Sequence, residues 1–221
     1  MPVDTRVLRQ IPLFAGLGDD DLAQVARVTV ERHFNRGDIV ILEGDPGGAF
    51  HFVRTGLIKV FKTSPDGKEQ VLRLVAAGHT FNDVPALDGG PNPASAAAME
   101  PSDLYVTSRD ALHQLILERP AVAEAAIRSL SGALRHLVAL IEDLSFRHVT
   151  ARVAKILLEQ EASRDASSPA HRLTQQEMAA MAGTAREMVG RALKELEAAG
   201  AIEIRQGRVA VLDAQRLRLL A

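Results

Sequence analysis

Residues 173–212 constrain this 221-residue chain most, because their spacing predicts a helix-turn-helix followed by a two-stranded wing. Thr174 stands three residues before Glu177, the spacing at which a hydroxyl and a carboxylate cap a helix start reciprocally. Gly183 permits the tight turn that follows, and Thr184 is the expected cap of the second helix. At about 100° per residue, Val189, Ala192, Leu193 and Leu196 share one face of that second helix. Arg186, Glu187, Gly190, Arg191 and Lys194 fall roughly opposite. After Gly200, Ile202, Ile204, Val209 and Val211 flank Gln206-Gly207, which reads as a hairpin.

That outward set suits the major groove of double-stranded DNA. Arginine presents two parallel donors to the O6 and N7 of guanine, and a carboxylate accepts from the N4 amino group of cytosine. A glycine between them lets the helix backbone come close to the bases. The candidate DNA contacts are Thr174, Gln175, Thr184, Arg186, Glu187, Gly190 and Arg191. Charges alone also fit an ordinary solvated helix face; capping box, glycine turn and wing together favour DNA recognition.

The run Ala185-Arg-Glu-Met-Val-Gly-Arg191 resembles the recognition helix of the CRP/FNR family of bacterial transcription factors, in its cAMP-receptor-like Arg-Glu-x-x-x-Arg form. The resemblance extends from about Phe14 to Leu212. It implies that Arg186, Glu187 and Arg191 read bases in half-sites of the TGTGA type, where the FNR branch places other residues and reads another half-site. The implied fold is α+β: an N-terminal cyclic-nucleotide-binding-like β-roll (jelly roll), a long dimerisation helix and a C-terminal winged helix-turn-helix. The expected divisions are residues 1–119, 120–145 and 146–221.

Composition agrees with that organisation. Hydrophobic residues make up 47% of the chain, enough for a real core. No run approaches a membrane span and no signal peptide is read at the start, so a soluble cytoplasmic protein with no membrane partner is expected. The absence of cysteine removes disulfides, thiol nucleophiles and the iron–sulfur cluster known in the FNR branch. Residues 146–221 hold 12 Lys+Arg against 9 Asp+Glu, a mildly basic balance that suits phosphate contact.

In the N-terminal part, strands are expected at residues 39–42, 51–53, 57–62 and 70–75, separated by turn-forming stretches. The order Gly37, Gly44, Phe50, Gly56 resembles the cyclic-nucleotide-binding fold; each glycine taken singly only makes a turn. From Pro120 the pattern turns helical. Ile127, Leu130, Leu134, Leu137, Ile141 and Leu144 follow spacings of 3, 4, 3, 4 and 3, an a/d seam that asks for a twin helix and hence a homodimer. The competing reading packs that stripe on its own β-roll. A hinge is expected around Ser145-Phe-Arg147, then a helix over 150–160 with Val153, Ile156 and Leu157 inward, then a polar loop over 161–170.

In the cAMP-binding members a Gly-Glu pair and a later Arg-Ser pair hold the ribose and the cyclic phosphate. Here Asn82-Asp83 stands for the first, and Pro93-Ala94, or Ala94-Ser95 with a one-residue shift, for the second. No arginine lies between Arg73 and Arg109, and Arg73 and Arg135 are expected to stay outside the site. The helix positions facing an adenine would be Leu137 and Val138. A buried phosphate without its cation is costly, so control by an effector other than cAMP, or by none, is expected. The candidate effector pocket comprises Asn82, Asp83, Val84, Ser95, Leu134, Leu137 and Val138.

Haem is the runner-up effector. Seven histidines are available, and Met1-Pro2 resembles the N-terminal proline ligand of the carbon monoxide-sensing members. Those members carry Cys and His where this chain has Asn82 and Val84, which counts against it. No acid–base pair, nucleophile elbow, Walker loop or metal-ligand cluster is read, so neither an enzyme nor a metal site is expected. A β-roll acting only as a ligand-binding or regulatory module would leave the helix-turn-helix unused. RNA polymerase is the further expected partner.

Overall fold

The computed structural model describes residues 3–162, 173–205 and 208–221. The chain forms two compact units, residues 1–62 with 72–137 and residues 63–71 with 138–221. It runs through α1 (Thr5–Leu8), α2 (Asp19–Val28), β1 (Thr29–Phe34), β2 (Ile39–Ile41), β3 (Ala49–Thr55), β4 (Leu57–Thr63), β5 (Glu69–Ala76), β6 (Thr80–Phe81) and α3 (Asp83–Asp88). Then follow β7 (Ser95–Ala98), β8 (Ser102–Ser108), α4 (Arg109–Glu118), α5 (Pro120–Phe146) and α6 (Val149–Ala162). The chain ends with α7 (Gln175–Ala182), α8 (Arg186–Ala198), β9 (Ile202–Arg205), β10 (Arg208–Val211) and α9 (Ala214–Leu219).

Two antiparallel four-stranded sheets, ordered β1-β8-β3-β6 and β2-β7-β4-β5, make the β-roll. The central strand β3 is buried from Phe50 to Val53 without the alternation of a half-exposed strand. Its two faces explain this. Phe50 and Phe52 enter a cluster with Leu8, Leu22 and Leu112 from the flanking helices and Phe14 from the turn between α1 and α2, whereas Val53 joins Ile58, Val75, Phe81 and Leu104 between the sheets. His51 points the same way as Val53 and stacks on Phe81, with ring centroids 4.9 Å apart. Burial pushes its imidazole down to about 4, so the ring is neutral at ordinary pH.

Strands β1, β6, β7 and β8 and helices α1 to α4 and α9 add to the elements expected from sequence. Pro120 opens α5, the helix position where a missing N–H costs nothing. The first turns of α5 bury Val122, Ala125 and Ala126 in the helix-side cluster. Beyond them the apolar stripe meets solvent in the single chain: Ile127 is 64% exposed, Leu134 63% and Ile141 63%. Leu137, Val138 and Leu144 are exposed as well, and Leu130 is half-buried. At the end of α5, Asp143 pairs with Arg147 at 2.8 Å and with Lys155 of α6.

The second unit buries Val153, Ile156 and Leu157 of α6 against Met178 and Ala182 of α7 and Val189, Leu193 and Leu196 of α8. Arg152 Nε donates to the Ala182 carbonyl at 2.7 Å, satisfying one of the last acceptors of α7. Strands β9 and β10 pair antiparallel, Ile202 opposite Val211 and Ile204 opposite Val209. The expected turn at Gln206-Gly207 and most of the expected loop over 161–170 lie outside the described residues.

Candidate nucleic-acid interface and ligand cavity

Helix α7 starts with the reciprocal cap. The Glu177 N–H donates to Thr174 Oγ1 at 3.2 Å while the Thr174 N–H donates to the Glu177 carboxylate at 2.6 Å. Gly183 closes α7 at φ 58°, a left-handed conformation that glycine adopts without a Cβ clash. The expected cap of α8 is corrected. Ala185, not Thr184, is its N-cap, with no side-chain hydrogen bond, and the Thr184 N–H turns back to the Ala179 carbonyl at 3.0 Å. The Schellman-like closure of α7 thus uses Thr184 and shifts the start of α8 by one residue.

Four residues of α8 are buried, Val189, Ala192, Leu193 and Leu196, while Arg186, Glu187, Arg191 and Lys194 are exposed. Among the described residues, the side chains of Arg186, Glu187 and Arg191 enter no ion pair. A Cβ built on Gly190 would find only the Gln175 amide oxygen, at 4.0 Å. The packing of α7 on α8 therefore does not require glycine there. Thr174 is exposed and Gln175 half-buried at the start of α7.

The first unit holds a cavity of about 520 Å³. Its apolar wall includes Leu13, Phe50, Leu112 and Ala126, and its polar groups are Arg73, His79, Thr80, Asp83, Arg128, Ser129 and His136. Asp83 is 9% exposed. Its Oδ2 accepts from Ser129 Oγ at 3.0 Å and from Thr80 Oγ1 at 3.4 Å, whereas its Oδ1 has no hydrogen-bond partner among the described residues. Burial raises the Asp83 pKa, against the opposing pull of the Ser129 hydroxyl, the Arg73 charge and the Thr80 hydroxyl.

The other cavity groups divide by what holds them. His136 Nε2 lies 2.9 Å from the Leu72 carbonyl and His79 Nδ1 lies 3.3 Å from the Ala77 carbonyl. A carbonyl only accepts, so each of those nitrogens carries the proton and the other nitrogen of each ring is uncommitted. Arg128 reaches Glu124 at 3.4 Å on an exposed stretch of α5. Arg73 is half-buried and makes no hydrogen bond or ion pair with a described residue.

Of the seven residues expected to form the effector pocket, only Asp83 lines this cavity. Asn82 precedes α3 at φ 63°, and its Nδ2 donates to the Ala49 carbonyl at 3.1 Å. That left-handed backbone explains why Asn replaces Gly here, since Asn tolerates it best after Gly. Val84 is exposed, and Ser95 is buried with its hydroxyl taken by the Glu43 N–H at 3.0 Å. Leu134, Leu137 and Val138 belong to the exposed stripe of α5. The expectation that Arg73 stays away is corrected, because Arg73 lines the cavity with Asp83; Arg135 does not line it. A signal existed in the sequence: Arg73 has the strand parity of Val71 and Val75, the buried side of β5.

Residues 93–95 carry no arginine or lysine; Lys62 Nζ donates to the Pro93 carbonyl there at 3.3 Å, and Ser95 Oγ accepts from the Glu43 N–H. Toward haem, His79 and His136 line the cavity, and Pro2 lies outside the described residues. Among the described residues no group of three His, Asp or Glu side chains is placed to hold a metal ion, and no helix is long and apolar enough to cross a membrane.

Residues 31–119 match the cyclic nucleotide-binding domain family, and residues 151–220 match the Crp-like helix-turn-helix domain family. A CRP-like cAMP-activated global transcriptional regulator of Mycobacterium tuberculosis is 31% identical over 218 residues, covering 96% of each chain. A cyclic AMP receptor protein of Thermus thermophilus is 32% identical over 210 residues, covering 95% of this chain and 96% of that one. FixK2 from Bradyrhizobium japonicum shares the fold, with a TM-score of 0.76 at 23% identity over 87% of this chain and 97% of that one. With both halves matched and these relatives spanning its length, the chain belongs to the CRP/FNR family of DNA-binding transcription regulators.

Proposed function

We propose that the protein is a homodimeric, sequence-specific regulator that reads TGTGA-type half-sites through Arg186, Glu187 and Arg191. The observation that carries this is the exposed set of donors and acceptor, without ion pairs among the described residues, on the face of α8 opposite its buried residues. The exposed stripe of α5 supplies the twin-helix surface, so that two α8 helices address a palindrome. In this reading residues 1–119 sense, 120–145 dimerise and 146–221 bind DNA, in the cytoplasm, with RNA polymerase as the machinery acted upon. A mobility shift on a TGTGA palindrome against a scrambled duplex tests it. Tighter binding to the palindrome is expected, and equal binding to both contradicts it.

The effector is a ligand other than cAMP. Position 93–95 lacks the arginine that a cyclic phosphate needs. A haem reading rests on His79 and His136, which both line the cavity. An absorption spectrum of protein from haem-supplied cells separates the two, a Soret band favouring haem.

A further inference from the structure

We infer that the cavity of the first unit binds a small organic acid bearing a hydroxyl or amino group, its carboxylate facing Arg73 and its O–H or N–H facing Oδ1 of Asp83. The inference deepens the proposed regulatory function and rests on it, since it names the effector class of the same β-roll.

Three observations converge. Asp83 is buried with one oxygen fully supplied, by Ser129 and Thr80, and the other without any donor. A buried acceptor left unpaired costs free energy that a ligand donor recovers on binding. Arg73 brings a half-buried guanidinium without a hydrogen-bonded partner to the same cavity, a fork that matches a carboxylate in two parallel bonds. The remaining wall is apolar, from Leu13, Phe50 and Leu112, and a volume of about 520 Å³ takes an aliphatic or aromatic body.

Charge sets the anion. Arg128 is already engaged by Glu124 on an exposed helix face, which leaves Arg73 as the principal cation facing one buried carboxyl group. A singly charged carboxylate meets less repulsion from Asp83 than a dianionic phosphate does. His79 and His136 present one acceptor nitrogen each when neutral, so they also favour a ligand with donors.

The test is titration calorimetry of the full chain, without DNA, against phenyllactate, hydroxyisocaproate, phenylalanine and leucine. Hydrocinnamate and isocaproate are the comparators lacking the donor, phenylpropanediol the one lacking the carboxylate, and cAMP the nucleotide arm. At least one hydroxy or amino acid should saturate the protein, with its donor-free or carboxylate-free comparator binding at least about tenfold more weakly. Arg73→Gln should lose the same factor while Arg191→Ala binds as wild type. No saturable binding by any of the four acids below about 10 mM overturns the inference, as does equal binding of an acid and its donor-free comparator. Binding of cAMP tighter than of every acid overturns it too. The comparator arm uses wild-type protein only, so a misfolded variant does not blunt the test. If the acid binds but leaves operator affinity unchanged, the cavity assignment stands and the regulatory reading fails.

Discussion

Ser129 of α5 donates its hydroxyl to Oδ2 of Asp83 at the start of α3, at 3.0 Å. Asp83 Oδ1, by contrast, has no donor among the described residues. One carboxylate thus ties the long helix to the β-roll and leaves its other oxygen for a ligand. The same helix exposes the stripe proposed to meet a second copy, so occupancy at Asp83 and the geometry of α5 share a residue contact.

The burial of Asp83 makes a pH prediction. Its folded pKa is raised, so as pH climbs past the ordinary carboxylate value the unfolded chain releases its proton first and stability falls. Asp83→Asn removes that loss while keeping an acceptor for Ser129. Thermal melts should show the variant more stable than wild type at pH 7, with the difference shrinking below about pH 4. A variant less stable than wild type at pH 7 contradicts the assignment.

His51 works with the opposite sign. Its pKa is pushed down to about 4 in the folded chain. On acidification the unfolded state takes up a proton first, so stability is lost between about pH 6.5 and pH 4, by roughly 3 kcal/mol at full extent. His51→Phe keeps a ring against Phe81 and should flatten the urea-unfolding profile across that window. An unchanged slope places the titration elsewhere.

Leu134 lies in the middle of the α5 stripe and is 63% exposed in the single chain. Leu134→Asp should therefore leave the monomer's circular dichroism unchanged. Placed in an a/d layer between two helices, the same carboxylate is an unpaired buried charge costing about 3–5 kcal/mol. Sedimentation velocity should give a dimer for wild type and a monomer for the variant at the same concentration. Two dimers of equal affinity assign the stripe another role.

Gly190 separates folding from recognition. A methyl group there meets nothing closer than 4.0 Å inside the protein, and alanine favours a helix over glycine by about 1 kcal/mol. Gly190→Ala should raise the melting temperature and lower operator affinity, because the added methyl stands between backbone and bases. Unchanged affinity removes Gly190 from the interface.

What was legible in the sequence was local. The Thr174–Glu177 cap, the Gly183 turn and the buried face of α8 rest on spacings within a few residues, and each has its physical counterpart. Strand β7, Ser95-Ala-Ala-Ala98, escaped notice because alanine has weak strand preference; burial between β2 and β4 makes it a strand. Helix α3 was hidden by Pro85, which its first turn tolerates. The cavity was hidden because its polar groups come from β5, α3 and α5. Arg73 lies outside the segment from Phe81 to Ser95, and its parity with Val71 and Val75 points it inward.

The base-reading role of α8 is tested most directly by fluorescence anisotropy with wild type and Arg191→Ala on a TGTGA palindrome and on the same duplex with the contacted guanines replaced. Arg191 is exposed on α8, so its loss leaves the fold intact. Wild type should prefer the intact site, and the variant should lose about 1–3 kcal/mol per half-site on it while binding the replaced site as wild type does. Equal affinity of both proteins for both duplexes would contradict sequence reading by this helix.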